Sequence, residues 1–319
     1  GKGHETFQIY KNKNINFSDK QIVNKIKFKT KILSNSSENF FQNKKILKDI
    51  TKTSFKKNFH GICIDSREIK KNNLFLTIRG KNNDGVKFID EALKKGATYV
   101  VSSKKIGKHR NKLIKIKNEI NFLNRFASKK RDLSNAQIFA ITGSAGKTSL
   151  KNLLQSILGF FGKTVSSPKS YNNHFGVPIS LSQLTTKHKY GIFEVGMNKA
   201  GEINSLTKIV KPQVAIITNI GEAHIENFRN LRGIAEAKGE IINNIKKNGT
   251  IILNRDDKFF NYLEKKAKLK NLKIVSFGLG KNSDISPRSI TKFEKYKILI
   301  IKLQNKIYRI PLKNINIYN

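Results

Sequence analysis

A glycine-bearing turn followed by Lys147 and Thr148 is the segment whose residue types most directly indicate chemistry. The apolar run Ile138–Thr142 leads into the turn, and Lys147 opens an amphipathic stretch. Backbone N–H groups of such a turn and of the following helix N-terminus can surround a phosphate, while the lysine supplies a cation and the threonine hydroxyl can bind Mg²⁺. The usual pattern has glycine five residues before Gly146, where this chain has Ile141, and an ordinary strand–helix turn is the alternative. The predicted nucleotide-binding residues are Gly143, Ser144, Ala145, Gly146, Lys147, Thr148 and Ser149.

Two further polar residues follow apolar runs, which makes them candidates for the same site. Glu194 lies at the end of Tyr190–Val195, and His224 follows Val214–Asn219. In open α/β sheets ligands bind beyond the carboxyl ends of the strands, so we expect these two side chains to approach Thr148. A carboxylate suits Mg²⁺, whereas an imidazole is atypical for that metal. Taken singly, each residue is typical of a solvated loop.

The elements that must position these groups alternate between strand and helix. Apolar strand runs separated by amphipathic helices predict an α/β fold, with a parallel sheet covered on both faces. Predicted strands are Ile138–Thr142, Lys163–Ser166, Tyr190–Val195, Val214–Asn219, Thr250–Leu253 and Lys273–Phe277, and predicted helices are 147–160, 201–209, 232–246 and 257–268. After Asp284 the pattern becomes β-like alternation over Lys297–Leu303 and Lys306–Ile310.

A smaller α/β unit precedes this sheet. Its predicted strands are Gly61–Ile64, Leu74–Ile78 and Tyr99–Ser102, with a helix over Lys87–Lys95 that ends at Gly96. Before it, a Ser- and Asn-rich stretch predicts a linker, and the start of the chain predicts a hairpin (Phe7–Tyr10 and Ile15–Phe17) and a basic helix from Asp19. The predicted organisation is therefore a short first segment over 1–32, a linker over 33–45, a small domain over 46–132 and a larger domain over 133–319.

The composition limits the partners that we expect. The 319 residues include 63 Lys plus Arg against 22 Asp plus Glu, for a net charge of +41. Such a charge suggests a polyanion, but lysine outnumbers arginine by 53 to 10 without arginine clusters interleaved with aromatic residues, so a solvated lysine-rich surface is the interpretation that we favour. The single cysteine, Cys63, excludes an internal disulfide. The sequence shows neither an apolar run of about 18 residues nor a signal-peptide pattern, so we expect a cytoplasmic protein. We also expect it to be a monomer with no specific nucleic acid partner.

Read together, these motifs resemble the Mur ligase family, the ATP-dependent amide ligases that build the peptide of peptidoglycan. The matching segments are Thr142–Thr148, Ser170–Pro178, Glu194–Glu202, Asn219–His224 and Ala235–Glu240, and in the smaller unit Asp65-Ser66-Arg67, Leu74-Phe75, Gly80, Asp84-Gly85-x-x-Phe88 and Gly96-Ala97. The family's shortened phosphate loop accounts for Ile141. The Asn172-Asn173 and Glu194-Val-Gly-Met forms look most like the members that add D-alanyl-D-alanine to UDP-N-acetylmuramoyl tripeptide through an acyl phosphate.

The resemblance implies roles for particular residues. Lys147 and Thr148 would hold ATP and Mg²⁺, and Glu194 and His224 would bind the metal. Lys238 matches the lysine that is carbamylated in the family, which makes it a further metal ligand, and Lys147, Lys238 and His224 would be the catalytic residues. Asn254 and Asp256 would approach the nucleotide. The substrate-binding residues implied in this way are Ser66, Arg67, Asp84, Asn172 and Asn173.

A second resemblance concerns the first residues. Gly1-Lys-Gly-His-Glu5 and Phe17-Ser-Asp19 look like the C-terminal tail of the diaminopimelate-adding members of the family. This predicts a fusion of one ligase tail to the front of the next, without the family's C-terminal domain, so that this chain alone would bind substrates weakly and turn over little.

Several alternatives remain open on the sequence. The chain could be a diaminopimelate-adding or folate polyglutamylating ligase of the same superfamily, although a folate ligase should lack the Asp65-Ser66-Arg67 unit. A nucleic-acid-stimulated ATPase would exploit the charge. An inactive piece that retains only binding is the non-enzymatic interpretation.

Overall fold

Two sheets built mainly of parallel strands, each with helices packed against it, and a short antiparallel pair near the start make up the described part of the protein. The computed structural model describes residues 6–8, 16–18, 37–80, 84–104, 109–280, 282–292, 297–303 and 306–312. The helices are α1 (Ser37–Thr51), α2 (Ile89–Lys94), α3 (Glu119–Asp132), α4 (Lys147–Phe161), α5 (Gly176–Ser182), α6 (Glu202–Val210), α7 (Leu231–Gly239) and α8 (Phe260–Lys268). The strands are β1 (Thr6–Gln8), β2 (Asn16–Ser18), β3 (Ile62–Cys63), β4 (Leu74–Leu76), β5 (Tyr99–Ser102), β6 (Leu113–Lys115), β7 (Gln137–Thr142), β8 (Thr164–Ser166), β9 (Tyr190–Glu194), β10 (Val214–Ile217), β11 (Thr250–Asn254), β12 (Lys273–Phe277), β13 (Ile285–Lys292), β14 (Lys297–Leu303) and β15 (Lys306–Leu312).

The larger sheet places the predicted site at one edge. Its strand order is β15-β14-β13-β12-β11-β10-β7-β9-β8, and the six strands from β12 to β8 run parallel. Ile217 pairs with Thr142 and Ile141 pairs with Glu194, so β7, β9 and β10 end side by side. This confirms the predicted α/β fold class. The edge where these strands end is the one at which ligands bind in open parallel sheets.

Apolar packing fixes the helices on both faces of that sheet. On one face Val177, Leu181, Ile203, Leu206 and Ile234 of α5, α6 and α7 are buried in the main core. On the other face α4 packs its partly buried leucines against Ile141, Ile192 and Ile216. Strands that are covered on both sides are apolar at almost every position, which is why they stood out in the sequence.

The smaller unit has a four-stranded parallel sheet, ordered β3-β4-β5-β6, and joins the larger unit through α3. α3 contacts α1, α5 and α6. Ile179 of α5 is buried in the core of the smaller unit, whereas Ala127 of α3 is buried in the core of the larger one. Buried Arg131 donates hydrogen bonds to the carbonyls of Val210 and Lys211. The two units therefore share packed residues rather than meeting only through a flexible connection.

Several predictions need correction or adjusted bounds. The linker predicted over 33–45 is wrong from residue 37, where α1 begins, because Ile46, Leu47 and Ile50 continue a helical spacing that the Ser- and Asn-rich start obscures. Two observed helices, α3 and α5, were not predicted. The helix predicted over 232–246 ends at Gly239 and continues as a 3₁₀ turn, and the one predicted from 257 begins at Phe260.

The start of the chain is described only in part. β1 pairs antiparallel with β2, which confirms the predicted hairpin with slightly shifted bounds. The basic helix predicted from Asp19 lies outside the described residues. Among the helices that are described, none has the length and apolar character needed to cross a membrane.

Candidate active site

The turn between β7 and α4 depends on two glycines. Gly143 and Gly146 have φ angles of +146° and +80°, which side chains other than glycine rarely adopt. A β-carbon on Gly143 would lie 1.8 Å from the Thr218 hydroxyl oxygen. These glycines therefore let the turn pass close to Thr218, just after β10, and lead into the N-terminus of α4.

The residues after β10 hold the turn in place. The backbone N–H of Ala145 and that of Ser144 both donate to the Asn219 side-chain oxygen, at 2.9 and 3.1 Å. The Ser144 hydroxyl donates to the Gly221 carbonyl and accepts from the Gly221 N–H. Thr218 donates to the Ala145 carbonyl at 2.6 Å. Thr218 and Asn219 were not singled out from the sequence, because their contribution depends on β10 lying next to β7.

Lys147 lies over the turn that it follows. Its ammonium donates to the Gly143 carbonyl at 2.7 Å. Burial lowers the pKa of Lys147, and the nearby negative charge of Glu194 opposes that shift. A partly desolvated cation held over a glycine-bearing turn is suited to binding the phosphates of a nucleotide.

Glu194, at the end of β9, accepts hydrogen bonds from two other segments of the chain. The Thr148 hydroxyl donates to one of its carboxylate oxygens at 2.8 Å, and the Asn172 amide donates to the other at 2.8 Å. Glu194 is only 1% exposed. The structure thus brings together Thr148 and Glu194 as the sequence predicted, and adds Asn172 as a direct partner. Carboxylate and hydroxyl oxygens are donors that fit Mg²⁺.

His224 is not joined to that pair. It has a left-handed backbone conformation with φ of +66°, and its ring nitrogen Nδ1 lies 3.9 Å from the Glu226 carboxylate. Within the described ranges, no hydrogen bond or ion pair links His224 to Thr148 or Glu194. Nor do the described residues contain three or more His, Cys, Asp or Glu side chains grouped to hold a metal. Its loop does approach the turn through the contact between Gly221 and Ser144.

Lys238, near the end of α7, is a buried cation beside the turn. Its residue is 2% exposed. Burial lowers the pKa of Lys238 to about 8, and the positive charge of Lys147 contributes to the same shift. In the part of the chain that is described, its ammonium makes no hydrogen bond or ion pair. Burying an amine without a partner lowers the stability of the folded protein. Such a group is therefore a candidate for taking part in a reaction or binding a ligand.

Asn254 and Asp256 hold a turn after β11. The Asn254 side chain accepts a hydrogen bond from the Asp256 N–H at 3.0 Å, and Asp256 accepts from the Leu279 N–H at 2.6 Å. The neighbouring Asp257, which sequence reasoning missed, accepts from the Ile220 N–H at 2.6 Å. Asp257 therefore connects this turn to the segment that supports the phosphate loop.

The residues expected to bind substrate occupy two different settings. In the smaller unit, the hydroxyl of buried Ser66 donates to Glu91 at 2.8 Å, while exposed Arg67 pairs with Asp65 at 2.7 Å. Asp84 accepts from the Val86 N–H and pairs with Lys104. These contacts orient the side chains at the ends of strands but leave Arg67 largely in solvent.

Asn172 and Asn173 lie in the segment that faces the smaller unit. The Asn173 side chain accepts from the Gly176 N–H at 2.8 Å and so caps α5. Just before them, Lys169 pairs with Glu68 of the smaller unit at 3.2 Å. Asn172 contacts the carboxylate of the site, whereas Asn173 stabilises the local turn.

Two family descriptions match the sequence. The Mur ligase middle domain matches residues 141–319, and the catalytic domain of the Mur ligase family matches residues 58–131. A UDP-N-acetylmuramoyl-tripeptide–D-alanyl-D-alanine ligase of Buchnera aphidicola subspecies Baizongia pistaciae is 41% identical over 244 residues, which is 75% of this chain and 52% of that protein. The chain thus spans about half the length of the curated relatives that it matches.

Solved structures give the same family. The MurF of Acinetobacter baumannii has a TM-score of 0.75 and 28% identity, covering 85% of this chain and 60% of that one. The MurF ligase of Thermotoga maritima, solved in complex with ADP, has a TM-score of 0.70 and 25% identity, covering 79% and 58%. An FPGS of L. casei, with 12% identity and a TM-score of 0.51, shows a likeness of fold alone.

Proposed function

The chain belongs to the Mur ligase family, and we propose that it contributes the nucleotide and substrate sites of an ATP-dependent ligase that adds D-alanyl-D-alanine to UDP-N-acetylmuramoyl tripeptide. The observation that carries this proposal is the hydrogen bond between Thr148 and Glu194, which joins the phosphate turn to the next strand end. We propose that the oxygens of Thr148 and Glu194 bind the metal, since Glu194 lies near Lys147, where the phosphates of ATP would lie.

The reaction is proposed to proceed in two balanced steps. The terminal carboxylate of the peptide attacks the γ-phosphorus of ATP, ADP leaves, and an acyl phosphate forms. The amine of D-alanyl-D-alanine then attacks the acyl carbon, phosphate leaves and an amide bond forms, with release of the amine proton. Lys147 neutralises charge on the transferred phosphoryl group, and the N–H groups at the start of α4 orient it.

A magnesium ion fits the oxygen donors of Thr148 and Glu194. When bound, it would supply charge neutralisation for the phosphates. Hydrogen bonds orient the Glu194 carboxylate for this role, since Asn172 donates to one of its oxygens and Thr148 donates to the other. His224 is proposed to join as a ligand when the loop after β10 moves toward the turn.

Lys238 is proposed to act as a carbamate. With a pKa of about 8, roughly one amine in ten is neutral at pH 7. The neutral amine attacks CO₂, a C–N bond forms and one proton is released, which converts a cation into a carboxylate-like ligand. A ¹³C NMR signal from the carbamate in ¹³C-bicarbonate, lost in Lys238→Met and retained in Lys130→Met, would support this step.

The smaller unit, residues 46–132, is proposed to hold the UDP end of the substrate. Arg67 lies in the 3₁₀ turn after β3, where its exposed guanidinium can reach a diphosphate, and Asp84 caps the 3₁₀ turn that precedes α2. Residues 1–32, which contain Gly1-Lys-Gly-His-Glu5 and Phe17-Ser-Asp19, are proposed on that motif to be the tail of a diaminopimelate-adding ligase. Asn254 and Asp256 are proposed to support the nucleotide from the neighbouring strand end.

The test is equilibrium binding of ATP and of UDP-N-acetylmuramoyl tripeptide to this chain, with and without Mg²⁺. We expect Mg²⁺ to strengthen ATP binding at least about tenfold, and Glu194→Gln to remove that dependence. Glu264→Gln, which removes a partly buried carboxylate that pairs with Lys268, is the matched control. ATP hydrolysis stimulated by a polynucleotide, without binding of the tripeptide, would contradict the proposal.

A further inference from the structure

A cavity of about 660 Å³ lies between the loop after β9 and the loop that leads into α7. Lys199 lines one side, and Phe228, Arg229, Arg232 and Glu236 line the other. Its volume is in the range of cavities that bind small molecules. None of these residues was singled out from the sequence.

The cavity carries positive charge that is not used within the protein. The Arg232 guanidinium pairs with Glu236 at 3.0 Å and lies 4.4 Å from the centre of the Tyr262 ring. Among the residues that the structure describes, the ammonium of Lys199 and the guanidinium of Arg229 make no hydrogen bond or ion pair. Arginine is scarce in this chain, with 10 residues against 53 lysines, yet two arginines line this cavity. An arginine fork is the side chain best suited to a carboxylate.

The cavity lies at the same edge of the sheet as the phosphate turn. Lys199 is five residues beyond Glu194, so it lies within roughly 18 Å of that carboxylate. Phe228 is partly buried against the main core and supplies an apolar wall. An aliphatic chain can pack on this wall while a charged group at its end meets Lys199 and Arg229.

We propose that this cavity takes the side chain of the third peptide residue, and that Lys199 and Arg229 select a side chain ending in a carboxylate. This inference rests on the proposed function, because it presumes a tripeptide whose reacting carboxylate lies at the phosphate turn. Diaminopimelate and lysine have similar chains that end in an ammonium, but only diaminopimelate carries a second carboxylate there. Two unpaired cations favour that carboxylate, whereas they repel a side chain whose only end charge is positive.

The experiment measures binding of three UDP-N-acetylmuramoyl tripeptides to this chain by titration calorimetry. They differ only in the third residue, which is diaminopimelate, diaminopimelate amidated at its distal carboxylate, or lysine. We expect the first to bind about tenfold more tightly than the other two, the size expected of one charge-assisted hydrogen bond.

Variants then identify the side chains responsible. Arg229→Gln and Lys199→Gln should each bring the three affinities closer together, mainly by weakening the diaminopimelate form, and Arg229→Lys should retain part of the preference. Both native residues are exposed, so these changes should leave folding intact. Arg125→Gln, which removes an exposed charge on α3, controls for net charge and should leave the preference unchanged.

The outcomes separate the two proposals. Equal affinity for the three peptides, or a preference that survives both glutamine variants, overturns the inference while leaving the proposed function in place. Failure of all three peptides to bind, at concentrations where ATP binds, overturns the proposed function itself.

Discussion

Two buried lysines, Lys130 on α3 and Lys238 beside the phosphate turn, have nearly the same pKa and different surroundings. Burial lowers the pKa of each to about 8. The ammonium of Lys130 donates to the Asn43 side-chain oxygen at 2.9 Å, and Asn43 donates in turn to the carbonyl of Phe59. Lys238 makes no hydrogen bond or ion pair within the described residues, and its nearest charge of note is the like charge of Lys147.

A lowered pKa alone therefore does not identify a functional lysine. Lys130 is part of a hydrogen-bonded connection that stabilises the contact between α3 and α1. Lys238 occupies a position where burial costs stability and nothing described in the protein compensates for it. A native protein retains such a cost where a ligand or a modification uses the group.

The largest expected difference between the two lysines is in catalysis. Lys238→Met should lower the rate of ligation by at least about 100-fold, because it removes a side chain that we propose to bind the metal beside the reacting phosphates. Lys130→Met should leave the rate within about threefold. Phosphate release by the natural full-length protein, with tripeptide and D-alanyl-D-alanine, measures both. Equal losses of rate in the two variants would show that the two lysines do not differ in catalysis.

The second difference is in stability. Lys238→Met removes a buried cation that has no hydrogen-bond partner, which should raise the free energy of unfolding, whereas Lys130→Met leaves the Asn43 oxygen without its donor. We expect Lys130→Met to be about 1–2 kcal/mol less stable than Lys238→Met. Urea unfolding in buffer free of CO₂ measures the difference. The opposite order would show that the Lys238 site is held by contacts like those of Lys130.

The third prediction concerns pH, where the two lysines should act alike. Because each pKa is lower in the folded state than its ordinary value of 10.5, the unfolded chain binds more protons between about pH 8 and pH 10.5. Stability must therefore rise with pH through this window. Each lysine should contribute about 1 kcal/mol of that rise between pH 7 and pH 9. Unfolding curves of the two methionine variants, each flatter with pH than the parent, would confirm it, and a slope unchanged by both would contradict it.

The smallest expected effect separates them again. Lys147→Met removes the like charge that helps to lower the pKa of Lys238, so that pKa should rise by a fraction of a pH unit, with burial still keeping it below 10.5. The pKa of Lys130 should not change, since burial is its cause. NMR titration of ¹³C-labelled lysine side chains measures both, and a matching change at Lys130 would indicate a general loss of structure instead.

Much of the fold could be predicted because it is encoded locally. The strands from β7 to β12 are apolar runs of the expected length, and their predicted bounds differ from the observed ones by few residues. α5 was missed because its seven residues, which include Pro178, are all buried, so that no exposed polar face marks a helix. α1 was missed in its first half because its polar start is typical of a linker. Both errors arise where tertiary packing overrides the local pattern.

The candidate site was predicted unevenly for a related reason. Thr148 and Glu194 could be paired because parallel strands end at a common edge, which follows from topology alone. His224 was placed beside them on the same grounds, yet its loop turns the side chain toward Glu226. Asn219 and Asp257 support the turn through contacts between residues far apart in sequence, so the segments in which they lie do not reveal this role.

By itself, the sequence determined the strand–turn–helix of the phosphate site and the succession of strands, because glycine conformation and apolar spacing act over a few neighbouring residues. Which of the 53 lysines have a pKa lowered by burial depends on tertiary packing, and so does the fact that Lys130 has a hydrogen-bond partner whereas Lys238 has none among the described residues. Desolvation and pairing depend on every element packed around a side chain, and that surrounding exists only once the chain has folded.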